Sequence, residues 1–115
     1  QQNLQALWSV ADGVVFTPQS TQYIIEQAVK KEIPFMGPHS GFVRAGALLA
    51  LTPDYRDNGR QAGEIATRIL RGAAASTIPV ATPRNIDMAL NLRVATYIRL
   101  KIPQDLIDEA SQIFE

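Results

Sequence analysis

Three short polar clusters each follow an apolar run of this sequence, and they contain the side chains best suited to hold a small molecule. In chain order they comprise Thr17, Gln19, Ser20 and Thr21, then His39 and Ser40, and finally Thr52 and Asp54. Free N–H groups at the start of a helix favour an anionic group, such as a carboxylate, near Ser20 and Thr21. The carboxylate of Asp54 could pair with an ammonium group of the same ligand. These residue types therefore indicate binding of a small polar or zwitterionic compound.

Each of these residues also has an ordinary structural interpretation. Thr17, Ser20 and Thr21 are residue types that cap helix starts. Asp54 is equally suited to cap a helix or to pair with Arg56 or Arg60. Capping and ligand binding remain alternatives for these positions.

The same residues predict neither a metal site nor catalysis. His39 is the only histidine and cysteine is absent, so no second imidazole or thiolate lies at metal-ligand spacing. Ser40 lacks an evident base partner, and the segment 41–46 lacks the glycine pattern of a phosphate-binding loop. We therefore expect no cofactor and no enzyme activity. A small α/β hydrolase that uses Ser40 and His39 is the less favoured alternative.

Composition narrows the classes of partner. The 115 residues fit one domain, and 46% hydrophobic with 7% aromatic residues predicts an aliphatic core. The 11 basic and 11 acidic residues cancel, which argues against nucleic acid as a partner. No apolar run is long enough to span a bilayer, and no signal peptide is evident. The segment 1–8 is typical of a helix interior, and we interpret the chain as a fragment or a processed product.

The polar clusters are expected at the ends of strands in an α/β sheet. Apolar runs predict strands at 14–16, 33–37 and 46–52, and alternation predicts a half-buried strand at 85–91. Helices are predicted at 18–31, with Thr17 as N-cap and Pro18 at the first position, at 55–71, and from Pro103 to Phe114. In the second helix, Arg60, Glu64 and Arg68 have the spacing of ion pairs. Alternating strands and helices predict a largely parallel sheet, whose ligands bind beyond the carboxyl ends of the strands.

The order of these segments resembles the C-terminal portion of ABC-transporter substrate-binding proteins of the tryptophan/tyrosine-binding type. The resemblance covers nearly the whole chain. Its marks are Asp12–Thr21, Lys31–Gly37, Val43–Leu51, Asp54–Gly63, Ile69–Gly72, and Asn91-Leu92 with Ile102-Pro103. The resemblance implies a three-layer sandwich with a parallel sheet, part of a two-lobed type I periplasmic-binding-protein fold. It also implies a small ligand, often an amino acid, held in a cleft between lobes, whose closure signals to a membrane permease.

The resemblance also suggests which residues face the ligand. Gln19, Ser20 and Thr21 match the family's polar turn, and the turn with His39 and Ser40 faces the cleft from the next strand. Asp54 matches the approach to the hinge. Gln19 stands where the family usually has an acidic residue, which leaves an amino-acid ammonium with one counter-charge fewer.

By the same resemblance, residues 1–115 form a partial substrate-binding domain, mostly the C-terminal lobe. The helix Tyr55–Arg71 is expected to pack on an N-terminal lobe that this sequence does not contain. We expect the chain to belong to a longer protein, or to associate with a second copy. The implied location is the periplasm, or the cell exterior with a lipid anchor. A ligand-sensing domain of a signalling protein is the alternative to the importer.

Overall fold

A computed structural model describes residues 3–115, which form two compact units. Unit 1 comprises the residues up to Thr52 together with Asp87–Glu115, and unit 2 comprises Pro53–Ile86. The described elements, in chain order, are β1 (Leu7–Trp8), α1 (Pro18–Lys30), β2 (Phe35–Gly37), α2 (Ser40–Ala45), β3 (Leu49–Pro53), α3 (Tyr55–Leu70), a 3₁₀ turn (Ala75–Thr77), β4 (Ile86–Asn91), α4 (Leu92–Tyr97), α5 (Gln104–Glu109) and β5 (Gln112–Phe114).

The strands form one five-stranded sheet in the order β1-β2-β3-β4-β5. β1 runs parallel to β2, β2 to β3 and β4 to β5, with Leu90 opposite Ile113 in the last pair. β3 and β4 run in opposite directions, because Asn91 N–H bonds to Leu48 O whereas Asp54 N–H bonds to Asn85 O. The expected α/β fold with a largely parallel sheet is confirmed. The one reversal places the beginnings of β4 and β5 at the edge where β1–β3 end.

Helix α1 begins as the sequence predicts. Thr17 is the N-cap, and its hydroxyl accepts the N–H of Ser20 while the Ser20 hydroxyl accepts the N–H of Thr17. Pro18 occupies the first position, where a missing N–H costs nothing. Ile25 and Ala28 are buried on the predicted apolar face. Local hydrogen bonds and one apolar stripe therefore define this helix.

The prediction of a strand at 14–16 is wrong. The Asp12 carboxylate accepts the N–H groups of Val14 and Val15 at 2.8 and 2.9 Å, which folds the segment into a turn. Val14 is 89% exposed, so its apolar side chain does not enter the core. Phe16 is the one member of the run that packs against the core.

The expected helix interior at 1–8 is also not found. Residues 3–6 are not helical and Leu7–Trp8 form β1, while residues 1–2 lie outside the described part. Trp8 and Met36 are partners in the parallel register, so pairing with β2 sets the conformation here.

Strand β2 lies within the predicted run 33–37, β3 begins three residues later than predicted and ends one residue later, and α2 between them was not predicted. Packing of α2 on β2 requires Gly37, since a Cβ there would lie 2.3 Å from the Cβ of Phe42. Gly46 ends α2 with φ 122°, a conformation that favours glycine. Gly37 and Gly46 thus allow a short helix in the segment between the two predicted strands.

In unit 2, α3 matches the predicted helix closely. Asp54 is the N-cap, and Gly72 with φ 102° follows the helix end. The predicted pairs of Glu64 with Arg60 and Arg68 are not among the ion pairs of residues 3–115. Glu64 binds Arg84 at 3.0 Å instead.

The C-terminal segment differs from the single helix predicted at 103–114. Helix α5 ends at Glu109, Ala110 is extended, and Gln112–Phe114 form β5. The pairing of β5 with β4 uses backbone groups that a longer helix would keep internal. Strand β4 was predicted correctly, whereas the short α4 was missed.

The hydrophobic core lies in unit 1. Its three clusters centre on Ile25 and Phe35, on Val43 and Ala50, and on Leu48 and Ala95. The first cluster joins α1 to β2 and α2. Among residues 3–115, no helix has the length and apolar character needed to cross a membrane.

Candidate functional site

A polar pocket of about 340 Å³ lies in unit 1 at the edge where β3 ends and β4 and β5 begin. We call it the edge pocket, and its lining residues are Ser40, Thr52, Asp87, Met88, Ala89, Ser111 and Gln112. Ligands of α/β proteins bind beyond the carboxyl ends of the parallel strands. Of the residues in the three polar clusters, Ser40 and Thr52 lie here.

Asp87 supplies the carboxylate of the edge pocket. Its Oδ1 accepts the hydroxyl of Ser111 at 3.2 Å, and the N–H of Ser111 donates to the carbonyl of Met88 at 2.8 Å. Two hydrogen bonds therefore hold the start of β5 beside Asp87. The carboxylate keeps further acceptor capacity, because an ionised carboxyl group has about four acceptor positions. The arrangement suits an ammonium group or a hydroxyl of a ligand.

Sequence reasoning missed Asp87 and Ser111. In an all-parallel sheet, residues at the start of a strand lie at the edge opposite the binding site. The reversal between β3 and β4 moves them to the same edge as Thr52. The alternation at 85–91 located strand β4, but it carried no signal of the strand's direction.

A second pocket of about 610 Å³ lies in unit 1 between α1 and α2, and we call it the helix pocket. Its lining residues are Phe16, Pro18, Thr21, Gln22, Ile25, Glu26, His39, Gly41, Phe42 and Ala45. Thr21 and His39, both predicted to bind ligand, line it together. Thr17, Gln19 and Ser20 are not among its lining residues.

His39 has a structural role at the start of α2. Its Nδ1 accepts the N–H of Gly41 at 3.1 Å, so the remaining ring proton of the neutral imidazole lies on Nε2. The ring also meets Phe42 edge-to-face at 4.9 Å between centroids. Among residues 3–115, no hydrogen bond joins His39 to the Ser40 hydroxyl, so the pair does not have the geometry of a nucleophile and its base.

The polar turn at the start of α1 is occupied by capping. The Ser20 hydroxyl contacts the Thr17 N–H and the carbonyl of Val15, and Thr17 completes the reciprocal capping box. Gln19 is exposed beside them. Capping uses the side-chain oxygens of Thr17 and Ser20, whereas the Gln19 amide and the Thr21 hydroxyl are not part of the capping box.

Asp54 belongs to unit 2 and caps α3. Its Oδ1 accepts the N–H groups of Arg56 and Asp57 at 2.9 and 3.1 Å. Of the two structural alternatives, capping is found, and pairing with Arg56 or Arg60 is not among the ion pairs of residues 3–115. Oδ1 is thus engaged by the backbone, and Oδ2 is the atom left for other partners.

Unit 2 contains a charged cluster that sequence reasoning did not identify. Arg84 contacts the buried carboxylate of Asp57 at 3.0 Å and the exposed Glu64 at 3.0 Å. The hydrogen bonds that the Arg84 guanidinium donates to Asp57 and then to Glu64 raise its pKa above its already high value. The two ion pairs hold Arg84 against α3. Both carboxylates of this cluster are engaged by Arg84, so neither is as available to a ligand as the carboxylate of Asp87.

Residues 3–115 contain no group of three or more histidine, aspartate or glutamate side chains placed to hold a metal ion. A pocket at the carboxyl edge of an α/β sheet, with hydroxyls and one carboxylate, is the kind of site that binds small molecules. The geometry therefore defines an α/β protein with a pocket of the kind that binds small molecules.

Comparison with known proteins gives the family. The family model described as "ABC transporter substrate binding protein" matches residues 1–114. The chain belongs to this family. The family model and the curated relative are both described as binding proteins.

Among curated proteins, the chain is 28% identical over 88 residues to a tyrosine-binding protein of Clostridioides difficile strain R20291. This match covers 76% of the chain and 25% of the relative. Among solved structures, it resembles the ligand-free, open structure of a Clostridium difficile substrate-binding protein with adhesive properties, with 26% identity and a TM-score of 0.69. That match covers 95% of this chain and 36% of the other.

Two further structures share the fold. A Streptococcus pneumoniae ABC domain in complex with L-Trp gives a TM-score of 0.67 at 20% identity, covering 97% of this chain and 37% of that one. A conserved domain protein of Vibrio cholerae gives 0.65 at 22% identity, covering 95% and 36%. The chain thus spans about a quarter of the curated relative and little more than a third of the solved structures.

Proposed function

We propose that this chain forms one wall of the ligand cleft in a solute-binding protein of an ABC importer. The observation that carries the proposal is the edge pocket, which brings the Asp87 carboxylate and the hydroxyl residues Ser40, Thr52 and Ser111 to the carboxyl edge of the sheet. Family membership supports the transport role. The site performs no chemistry: it binds and releases.

The ligand we propose is a small polar compound, namely an amino acid or a related carboxylate. An ammonium group pairs with Asp87, whose second oxygen is not engaged by Ser111. Hydroxyls of Ser40 and Thr52 accept or donate hydrogen bonds to the rest of the ligand. The tyrosine-binding relative and the L-Trp complex of the structural neighbour agree with an amino-acid ligand.

The other predicted ligand residues stay in the proposal, but they differ in which side-chain groups remain available to a ligand. Gln19 and Thr21 keep side-chain groups outside the capping box, whereas Thr17 and Ser20 use theirs in it. His39 presents Nε2–H as a donor, since Gly41 engages Nδ1. Asp54 competes with Asp87 as the ammonium partner, but its Oδ1 already accepts two backbone N–H groups.

In the complete protein we propose a second lobe that closes over the edge pocket, and a permease that receives the closed form. Helix α3 is the element proposed to pack on that lobe. It carries exposed apolar side chains, with Tyr55 at 72% and Leu70 at 87% exposure. A location in the periplasm, or outside the cell on a lipid anchor, follows from this transport role.

A thermal-shift screen of the full-length protein against amino acids and small carboxylates tests the function. A ligand that binds only the native state stabilises it by about 2.7 kcal/mol at a hundred times its Kd, which raises the Tm. The expected result is a concentration-dependent rise with at least one amino acid. If none of these compounds shifts the Tm, the amino-acid assignment fails.

Substitution of the two carboxylates identifies the ammonium partner. Asp87→Asn should weaken the ligand found in the screen about two- to fivefold, because Asp87 is exposed and an exposed ion pair contributes about 0.2–1 kcal/mol. An analogue without the amine should lose much less, and calorimetric titration measures both.

Asp105→Asn is the matched control, because Asp105 is an exposed aspartate at the start of α5. Asp54→Asn should act mainly on the stability of α3. A larger loss of amine selectivity in Asp54→Asn than in Asp87→Asn would assign the ammonium to Asp54 and contradict the role of Asp87.

A further inference from the structure

Helix α3 of unit 2 and its C-cap carry a row of arginines along one side. Arg56, Arg60 and Arg71 share a sector of about 60° around the helix axis, because a helix turns through about 100° per residue. Their positions extend over about 22 Å, at about 1.5 Å per residue. All three side chains are exposed. We call this surface the arginine stripe.

The arginine stripe keeps its positive charge within unit 2. Unit 2 contains five arginines and three carboxylates, which leaves a net charge of +2. None of the ion pairs of residues 3–115 involves Arg56, Arg60 or Arg71. Glu64 lies at the border of the stripe, but Arg84 donates to both of its carboxylate oxygens. The two other carboxylates cap α3 and bind Arg84, so none of the three is paired with the stripe.

The arginine stripe lies on the side of α3 away from its apolar face. Tyr55, Ala62 and Ile69 follow one another at intervals of seven residues and mark that face, roughly opposite the stripe. The proposed second lobe covers the apolar face, so the inference rests on the proposed function for the direction in which the stripe faces. The Gln61 amide donates to the carbonyl of Thr82 at 2.9 Å, which holds the returning chain on a third side. The arginines are therefore left on the outer side of the helix.

We propose that the arginine stripe docks on the phosphate groups of an anionic phospholipid membrane. A guanidinium group is planar and binds phosphate oxygens through two parallel hydrogen bonds. A membrane surface offers phosphates along any line, so three arginines spread over about 22 Å can all engage at once. The proposed location outside the cell on a lipid anchor would place the protein beside such a surface.

The residues within the arginine stripe argue against an acidic protein as the partner. Thr67 is the one other residue of α3 in the same sector, and its hydroxyl donates to the carbonyl of Gly63. Over its described length the stripe thus contains no large apolar side chain, whereas the centre of a protein interface is apolar and poor in charge. Three arginines alone give a weak attraction that salt screens, so the docking is peripheral and reversible.

Sedimentation of the full-length protein with vesicles tests the proposal. One set of vesicles contains equal amounts of phosphatidylglycerol and phosphatidylcholine, and the other contains phosphatidylcholine alone. The protein should bind the anionic vesicles more tightly, and the binding should weaken as salt rises from about 0.01 M to about 0.15 M, since the Debye length shortens from about 30 Å to about 8 Å. The double substitution Arg56→Gln with Arg60→Gln should weaken binding to anionic vesicles about fivefold for each arginine removed.

The double substitution Lys31→Gln with Lys101→Gln is the matched control, because both lysines are exposed in unit 1 and their removal lowers the net charge equally. This variant should bind anionic vesicles as the wild type does. Equal weakening in both double variants would overturn the proposal, and so would a wild type that binds the two kinds of vesicle equally or binds neither. Tighter binding to polyglutamate than to anionic vesicles would assign the stripe to an acidic protein and would also overturn it.

The Tm of both double variants, and its rise with an amino acid, should match the wild type, because the substituted side chains are exposed and none lines the edge pocket. The amino-acid screen and the vesicle assay therefore report on different surfaces. A full-length protein that fails the screen but binds anionic vesicles through the stripe would contradict the proposed ligand alone.

Discussion

At the scale of single residues, short polar side chains act first on the backbone beside them. Asp12 converts the apolar run 14–16 into a turn because its carboxylate accepts two N–H groups of that run. His39 and Asp54 act in the same way at the starts of α2 and α3. The side-chain groups available to a ligand are therefore those that capping does not use.

The Asp12 turn should be visible in a carboxylate titration. The hydrogen bonds from Val15 and then Val14 hold the pKa of Asp12 below its usual value of 3.8. A lowered pKa in the folded state means that the stabilisation is present above the unfolded-state pKa and is lost as pH falls through the folded-state pKa. NMR titration should give a midpoint below 3.8, with the amide shifts of Val14 and Val15 following it.

Asp12→Asn is the control for this titration, because it keeps an acceptor oxygen but has no charge to titrate. In that variant the amide shifts of Val14 and Val15 should no longer change over the acidic range. A wild-type midpoint at or above the usual value would show that the carboxylate does not hold the turn in solution.

At the scale of elements, α2 packs so closely on β2 that Gly37 leaves no room for a side chain. Gly37→Ala would place a Cβ 2.3 Å from the Cβ of Phe42. Overpacking of this kind costs about 1–3 kcal/mol, and backbone must shift to relieve it. Urea denaturation should show a corresponding drop in the free energy of unfolding.

Gly13→Ala is the matched control, since a Cβ at Gly13 meets no atom within 4 Å. Its free energy of unfolding should stay within about 0.5 kcal/mol of the wild type. Equal stability of the two variants would mean that α2 does not pack on β2 as described.

The elements also show which boundaries can be predicted from neighbouring residues alone. The starts of α1 and α3 follow from Thr17-Pro18 and from Asp54, because a cap is a hydrogen bond within a few residues. Strand β5 was predicted as part of a helix, since Ile113 and Phe114 continue an apolar stripe. Pairing of Ile113 with Leu90 outweighs that periodicity, and no local pattern reports it.

At the scale of the whole molecule, the two units differ in how much core they contain. All twelve buried hydrophobic residues of the described chain belong to unit 1, and none lies between Pro53 and Ile86. Amide hydrogen exchange of the 115-residue chain should therefore be slow at Ala50 and Leu90 and fast along α3, because local stability follows buried apolar contact.

The full-length protein supplies the comparison for this experiment. Slower exchange along α3 in the full-length protein is expected if this helix packs on a second lobe. Exchange along α3 in the 115-residue chain as slow as at Leu90 would contradict the ranking of the two units.

The sequence by itself determined the α/β class, the helix starts at Thr17 and Asp54, and the resemblance to ABC substrate-binding proteins that the family match confirms. These features depend on neighbouring residues, on periodicity and on the order of motifs. The tertiary structure decided that residues 14–16 form a turn and that residues 112–114 form a strand. It also decided that Asp87 and Ser111 join Ser40 at one edge. The physical reason is the reversal between β3 and β4: strand direction is set by pairing across the sheet, between residues far apart in the chain.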